Sequence, residues 1–182
     1  MKRELIEKSM EIITSPDISG SFIREIEFLD SIVYPMDFRG TYDSIKSRFD
    51  KFKDSYIIAK IDGKIVGYLC FFPVSRDLAF RLENESHFFD DDISKDDIEW
   101  YENNNILFII SLVVHPDYQR KGISKKLICE FEKIIGDLKS KIKSIYAITI
   151  NPISYKILLS NGFHAEKELQ EGKTLMRRDL IV

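Results

Sequence analysis

The sequence predicts an α/β (α+β) fold, a mixed central sheet flanked by helices, and three observations predict it. Apolar runs of strand length alternate with longer stretches of helical periodicity along most of the 182 residues. Asp62-Gly63 separates two β-branched runs, Tyr56–Ile61 and Lys64–Phe72, which is the strongest short-range signal for a hairpin. The run Ile106–Val114 is apolar on successive residues, as a strand buried on both faces must be, so it belongs at the centre of the sheet.

Each element has a local reason. Residues 21–33 set Phe22, Ile23, Ile26, Leu29, Ile32 and Val33 at helical spacing, and Pro35 stops them. Tyr42–Phe52 repeats the pattern, with Ile45, Phe49 and Phe52 on one side. Glu11–Thr14 reads equally as a strand or as a helix end. After the central run, the helix from Ile123 presents Leu127, Ile128, Phe131, Ile134, Ile135 and Leu138 as one stripe. Ser144–Ile150 is a strand. Pro152–Ser160 is a short helix with Asn151 as its cap, Pro152 at its first position and Asn161-Gly162 at its end. Phe163–Leu169 and Thr174–Ile181 close the fold as a hairpin around Glu171-Gly172. The expected whole is one domain over residues 1–182, a hairpin followed by a βαβα core.

Composition excludes several classes. With 44% hydrophobic and 31% charged residues the chain is globular rather than disordered. A net charge of −3 argues against a nucleic-acid partner, which would call for a basic excess. The longest apolar stretches are too short to span a bilayer, and Met1-Lys2-Arg3-Glu4 has no apolar segment behind it, so neither a membrane partner nor a signal peptide is expected. Cys70 and Cys129 both sit inside apolar runs and read as buried thiols, which suits the reducing cytoplasm.

The chemistry concentrates in Val113-Val114-His115-Pro116-Asp117-Tyr118-Gln119-Arg120-Lys121-Gly122-Ile123-Ser124. A strand ends at a proline, and a short basic turn opens directly into a long helix. Gly122 lets backbone approach a ligand, and the free N–H groups of the first helical turn point outward where the helix dipole favours an anion. Arg120, Lys121 and Lys125 add positive charge around the same mouth. The pattern suits a pyrophosphate. It is neither a nucleotide P-loop nor a dinucleotide fingerprint, because Gly-x-x-x-x-Gly-Lys-Ser/Thr and Gly-x-Gly-x-x-Gly are both absent.

Over roughly residues 20–182 the chain resembles the Gcn5-related N-acetyltransferase (GNAT) superfamily. The hairpin Tyr56–Phe72 resembles that family's second and third strands. Gln119-Arg120-Lys121-Gly122-Ile123-Ser124 resembles its acetyl-CoA motif, Gln/Arg-x-x-Gly-x-Gly/Ala. Asn151-Pro152-Ile153-Ser154 ahead of Asn161-Gly162-Phe163 resembles its later Asn-x-x-Ala…Gly-Phe motif. The resemblance implies acetyl-CoA as cofactor: backbone at Leu112, Val113 and Val114 along the pantetheine arm, amides from Arg120 to Lys125 on the pyrophosphate, Asn151 facing the pantetheine or the thiol end, and Ser154 among the cofactor-binding residues. It implies direct attack of a primary amine, on a small molecule or a protein, upon the thioester carbonyl, with a donor steadying the oxyanion and a general acid protonating the leaving thiolate. Edge strands of this fold often pair between subunits, so a homodimer is an expected partner arrangement.

Departures from the family pattern bear on catalysis. Ser124 and Ser154 replace smaller residues, which is mild. Leu158 stands where the family usually carries its tyrosine acid; Tyr155, three residues earlier on nearly the same helical face, is either the substitute acid or a packing aromatic. Phe108 occupies a place where some relatives carry a catalytic Glu, and neither Ser111 nor His115 is an obvious base. Between the third and fourth strands, Glu83, Glu85, Asp90, Asp91, Asp92, Asp96, Asp97, Glu99 and Glu102 face a lone Lys95. With Phe88, Phe89, Trp100 and Tyr101 this insert is either a mouth for a cationic amine or a solvated connection. Asp90, Asp92, Ser94 and Asp96 have EF-hand-like spacing, but Lys95 and Tyr101 stand where Gly and Glu are required, so no metal site is expected. Two functions remain: an acetyl-CoA-dependent N-acetyltransferase, or a non-catalytic acyl-CoA-binding sensor of the same fold.

Overall fold

Seven strands hydrogen-bond in the order β1-β2-β3-β4-β5-β7-β6 in the computed structural model, which describes residues 10–14, 20–85 and 93–180. They are β1 Met10–Ile13, β2 Tyr56–Ile61, β3 Lys64–Pro73, β4 Asn105–Val114, β5 Ile142–Thr149, β6 His164–Glu168 and β7 Thr174–Asp179. The ambiguous segment near Glu11 is therefore a strand, antiparallel to β2 with Met10 opposite Ile61. The β2–β3 hairpin turns at Asp62 and Gly63, both in the left-handed region (φ 51° and 76°), as an Asp-Gly turn requires. β4 is the fourth of the seven strands, as a run apolar on both faces demands, and runs parallel to β5.

Five helices accompany the sheet: α1 Ile23–Val33, α2 Tyr42–Lys51, α3 Arg76–Asn84, α4 Ile123–Leu138 and α5 Pro152–Ser160. α3 has no counterpart in the sequence reading. It is nine residues long, starts on a Ser75 side chain that accepts from the Leu78 N–H, and buries Leu78, Ala79 and Leu82.

The chain divides into two units, Met1–Cys70 with Ser111–Ile134, and Phe71–Ile110 with Ile135–Val182. The first packs α1 and α2 on the hairpin through Phe22, whose ring meets Phe49 at 4.9 Å and Tyr56 at 5.1 Å edge-on. Inside it Tyr68 donates a 2.5 Å hydrogen bond to the buried Asp30. Burial pushes the Asp30 carboxyl up to about 6, against the opposing pull of the Tyr68 hydroxyl, the Gly40 N–H and Arg48. Burial likewise pushes the Cys70 thiol up to about 12, which leaves it inert. Cys129 departs from expectation: it is exposed on α4, because the helical stripe that buries Leu127 and Phe131 turns the residue between them outward.

The second unit is the parallel β4–β5 pair extended by β7 and β6, with β5 antiparallel to β7 from Ser144↔Asp179 to Thr149↔Thr174. Phe108 is fully buried there, its ring 6.0 Å from that of Phe72. Among the described residues no helix is long and apolar enough to cross a membrane.

Candidate functional site

The basic turn lies wholly in the first unit. After Val114 the chain bends at His115, whose Nδ1 accepts from the Asp117 N–H at 3.2 Å and starts a short 3-10 turn, Pro116–Tyr118. The Gln119 side chain reaches back to the Val114 carbonyl at 3.3 Å, and the Lys121 ammonium lies 4.7 Å above the Tyr118 ring while donating to the Asp117 carbonyl. Arg120 (φ 59°) and Gly122 (φ 82°) then adopt left-handed conformations, which throws the backbone outward just before α4. The first helical bond runs from the Lys126 N–H to the Gly122 carbonyl at 3.1 Å. The N–H groups of Ile123, Ser124 and Lys125 consequently have no intrahelical acceptor, and no described side chain caps them. A Cβ added at Gly122 would meet nothing within 4 Å, so the cradle is open at that point.

β3 fixes the turn from beneath. The His115 N–H donates to the Val66 carbonyl at 2.9 Å. Gly67 approaches so closely that a Cβ there would lie 2.8 Å from the Val113 carbonyl oxygen and 3.2 Å from the Ile123 side chain. Sequence reasoning placed Gly67 only as part of a strand; an isolated glycine within an apolar strand was the available signal for such a close approach. The β4–β5 register ends at Ile109↔Ala147, so Leu112, Val113 and Val114 lie beyond the last paired rung.

The second unit brings Asn151, Ser154 and Tyr155 together at the start of α5. Asn151 Oδ1 accepts from the Ile153 N–H at 3.0 Å and the Ser154 N–H at 2.9 Å, and Ser154 Oγ donates to the Asn151 carbonyl at 2.9 Å. Pro152 has no N–H to satisfy, so this helix start is complete in itself. The side-chain N–H groups of Asn151 are left for another partner. Tyr155 is half-buried, and Leu158 is buried at the inner face of the same helix.

Three of the described carboxylates of the β3–β4 connection are committed. Asp97 accepts from Arg81 at 2.7 Å and caps the Ser94 N–H at 2.8 Å. Glu99 accepts from the Tyr101 hydroxyl at 2.5 Å, and Glu83 from the Tyr146 hydroxyl at 2.7 Å. Phe88, Phe89, Asp90, Asp91 and Asp92 lie outside the described residues. Among the described residues no group of three or more His, Cys, Asp or Glu could hold a metal. His115 serves the turn through its Nδ1.

With this geometry in view, the comparisons agree with the topology. The sequence profile of the acetyltransferase (GNAT) family matches residues 23–163, and the chain belongs to that family. No curated protein sequence matches it. Solved structures share the fold at low identity. The loading GNATL domain of CurA from Lyngbya majuscula is 14% identical with a TM-score of 0.70, over 94% of this chain and 98% of that one. Naa50 of Arabidopsis thaliana, in complex with the bisubstrate analogue CoA-Ac-MVNAL, is 13% identical with a TM-score of 0.64, over 94% and 99%. The PaiA N-acetyltransferase of Thermoplasma acidophilum, in complex with coenzyme A, is 15% identical with a TM-score of 0.58, again over 94% and 99%.

Proposed function

We propose that this chain is an acetyl-CoA-dependent N-acetyltransferase that acts on a primary amine, carried by a small cationic molecule or by a protein. The observation that carries the reading is the start of α4: a left-handed Gly122, three unpaired N–H groups, and Arg120, Lys121 and Lys125 around them. Those groups fit a pyrophosphate by hydrogen bonding and by charge. Leu112–Val114, beyond the last rung that β4 shares with β5, would offer backbone to a pantetheine arm, and the amide hydrogens of Asn151 would suit the pantetheine or the thiol end. PaiA and Naa50, structures with the same fold, were solved with coenzyme A and with a CoA-peptide conjugate, which supports this class of ligand.

Acetyl-CoA supplies an activated acyl group. The residues of this chain would hold it and manage the proton: Tyr155 is assigned as the general acid that would protonate the leaving thiolate. The test is amine-dependent release of free CoA over a panel of amines. The reading expects release with at least one cationic amine, and a 10²-fold or greater fall in rate for Tyr155→Phe with acetyl-CoA binding retained. Burial of Leu158 favours a second reading, a binding module without turnover. That module would bind acetyl-CoA and release no CoA with any amine.

A further inference from the structure

A cavity of about 390 Å3 opens in the unit formed by residues 71–110 and 135–182 and shares no residue with the turn before α4. Its floor is apolar, made by Val74, Ala79 and Ile106, and its rim carries Arg76 and Lys143. No carboxylate lines it. Of the acids close to it in sequence, Asp77 pairs with Arg81, Glu99 is bonded to the hydroxyl of Tyr101 and Glu102 does not line the cavity, while the Arg76 guanidinium lies 5.0 Å over the Tyr101 ring. The stacking fixes Arg76 at the mouth, since a guanidinium over an aromatic face is held in plane.

Several cations of the chain are held by acids. Arg81 pairs with Asp77 and Asp97, Arg177 with Glu166 and Asp179, and Lys133 with Glu130. Arg76 and Lys143 have no acidic partner among the described residues, although acids outnumber bases in the sequence. Two uncompensated cations converging on one concave, half-apolar cavity match a ligand with a negative head and a short hydrocarbon body. Asn104, held at φ 60°, adds its amide at the same rim.

We propose that this cavity binds a small amphipathic organic anion, its carboxylate or phosphate between Arg76 and Lys143 and its apolar body on Val74, Ala79 and Ile106. The ligand site is separate from the acetyl-CoA site and does not depend on it. Titration of the full chain with hexanoate, hexyl phosphate, hexanol and inorganic phosphate, followed by backbone amide NMR shifts, tests this. Saturable shifts at Arg76, Asn104 and Lys143 are expected with hexanoate, with hexyl phosphate, or with both, and the choice among these identifies the head group. Hexanol and inorganic phosphate should each bind at least tenfold more weakly. The double variant R76Q/K143Q should lose affinity for the anion about tenfold or more while binding acetyl-CoA as the wild type does. Hexanol binding as tightly as the anions, shifts confined to other residues, or no shift with either anion would overturn the proposal. These wild-type readings stand whether or not the double variant folds.

Discussion

The starts of α4 and α5 present the same backbone problem and solve it in opposite ways. At α5, Asn151 accepts from two N–H groups and Pro152 removes a third donor, so no backbone donor is left open at the helix start. At α4, a left-handed glycine takes the place of a cap, and three donors point outward beside three cations. One arrangement stabilises a helix; the other leaves its donors to a partner. The contrast teaches that a helix start is marked as a site by what fails to close it.

That contrast breaks most sharply at Gly122. Gly122→Leu should weaken acetyl-CoA binding at least a hundredfold by titration calorimetry, because a side chain at φ 82° strains the turn and enters the cradle. Binding that survived unchanged would show the open donors to be incidental. The buried Asp30 in the same unit gives the next largest effect. The folded state holds the Asp30 proton up to about pH 6, whereas an ordinary carboxyl releases it near 3.8. Between these values the folded form binds more protons, so this group's contribution to stability falls as pH rises, by about 3 kcal/mol in all. Asp30→Asn should therefore gain on the wild type by up to that amount between pH 4 and pH 7 in urea unfolding. A constant difference across that range would contradict the buried, protonated carboxyl.

Gly67→Ala sharpens the comparison from below. Its Cβ would press on the Val113 carbonyl, at a cost of about 1–3 kcal/mol. Acetyl-CoA affinity should fall with stability, since β3 and the turn must shift together. Asn151→Ala has the smallest effect expected, about 1 kcal/mol or roughly 2–4 °C in Tm, the ordinary loss of a cap. A drop of more than 10 °C would show that Asn151 does more for folding than close α5.

The sequence carried much of this. Asp62-Gly63, Pro35 and Asn151-Pro152 each act through neighbouring residues alone, and the structure uses all three where local chemistry put them. The order and spacing of the turn and the Asn151 helix likewise pointed to the GNAT family, which the profile match over 23–163 shows. What escaped was set by tertiary contact. α3 is short, and three buried side chains stabilise it against the sheet more than propensity does. The tight approach of Gly67 and the outward turn of Cys129 depend on what lies across from them. The carboxylates of the acidic connection read as a charge cluster, yet Glu83, Asp97 and Glu99 are bound to Tyr146, Arg81 and Tyr101, pairings that no spacing reveals.

Thermal unfolding of the wild-type chain with and without acetyl-CoA tests the central claim most directly. At a hundredfold excess over Kd the ligand stabilises the fold by about 2.7 kcal/mol, which raises Tm by roughly 5–10 °C for a domain of this size. The account predicts a rise of that order with acetyl-CoA and none with ATP or NAD. No rise at any acetyl-CoA concentration, or an equal rise with ATP, would contradict an acyl-CoA site at the start of α4.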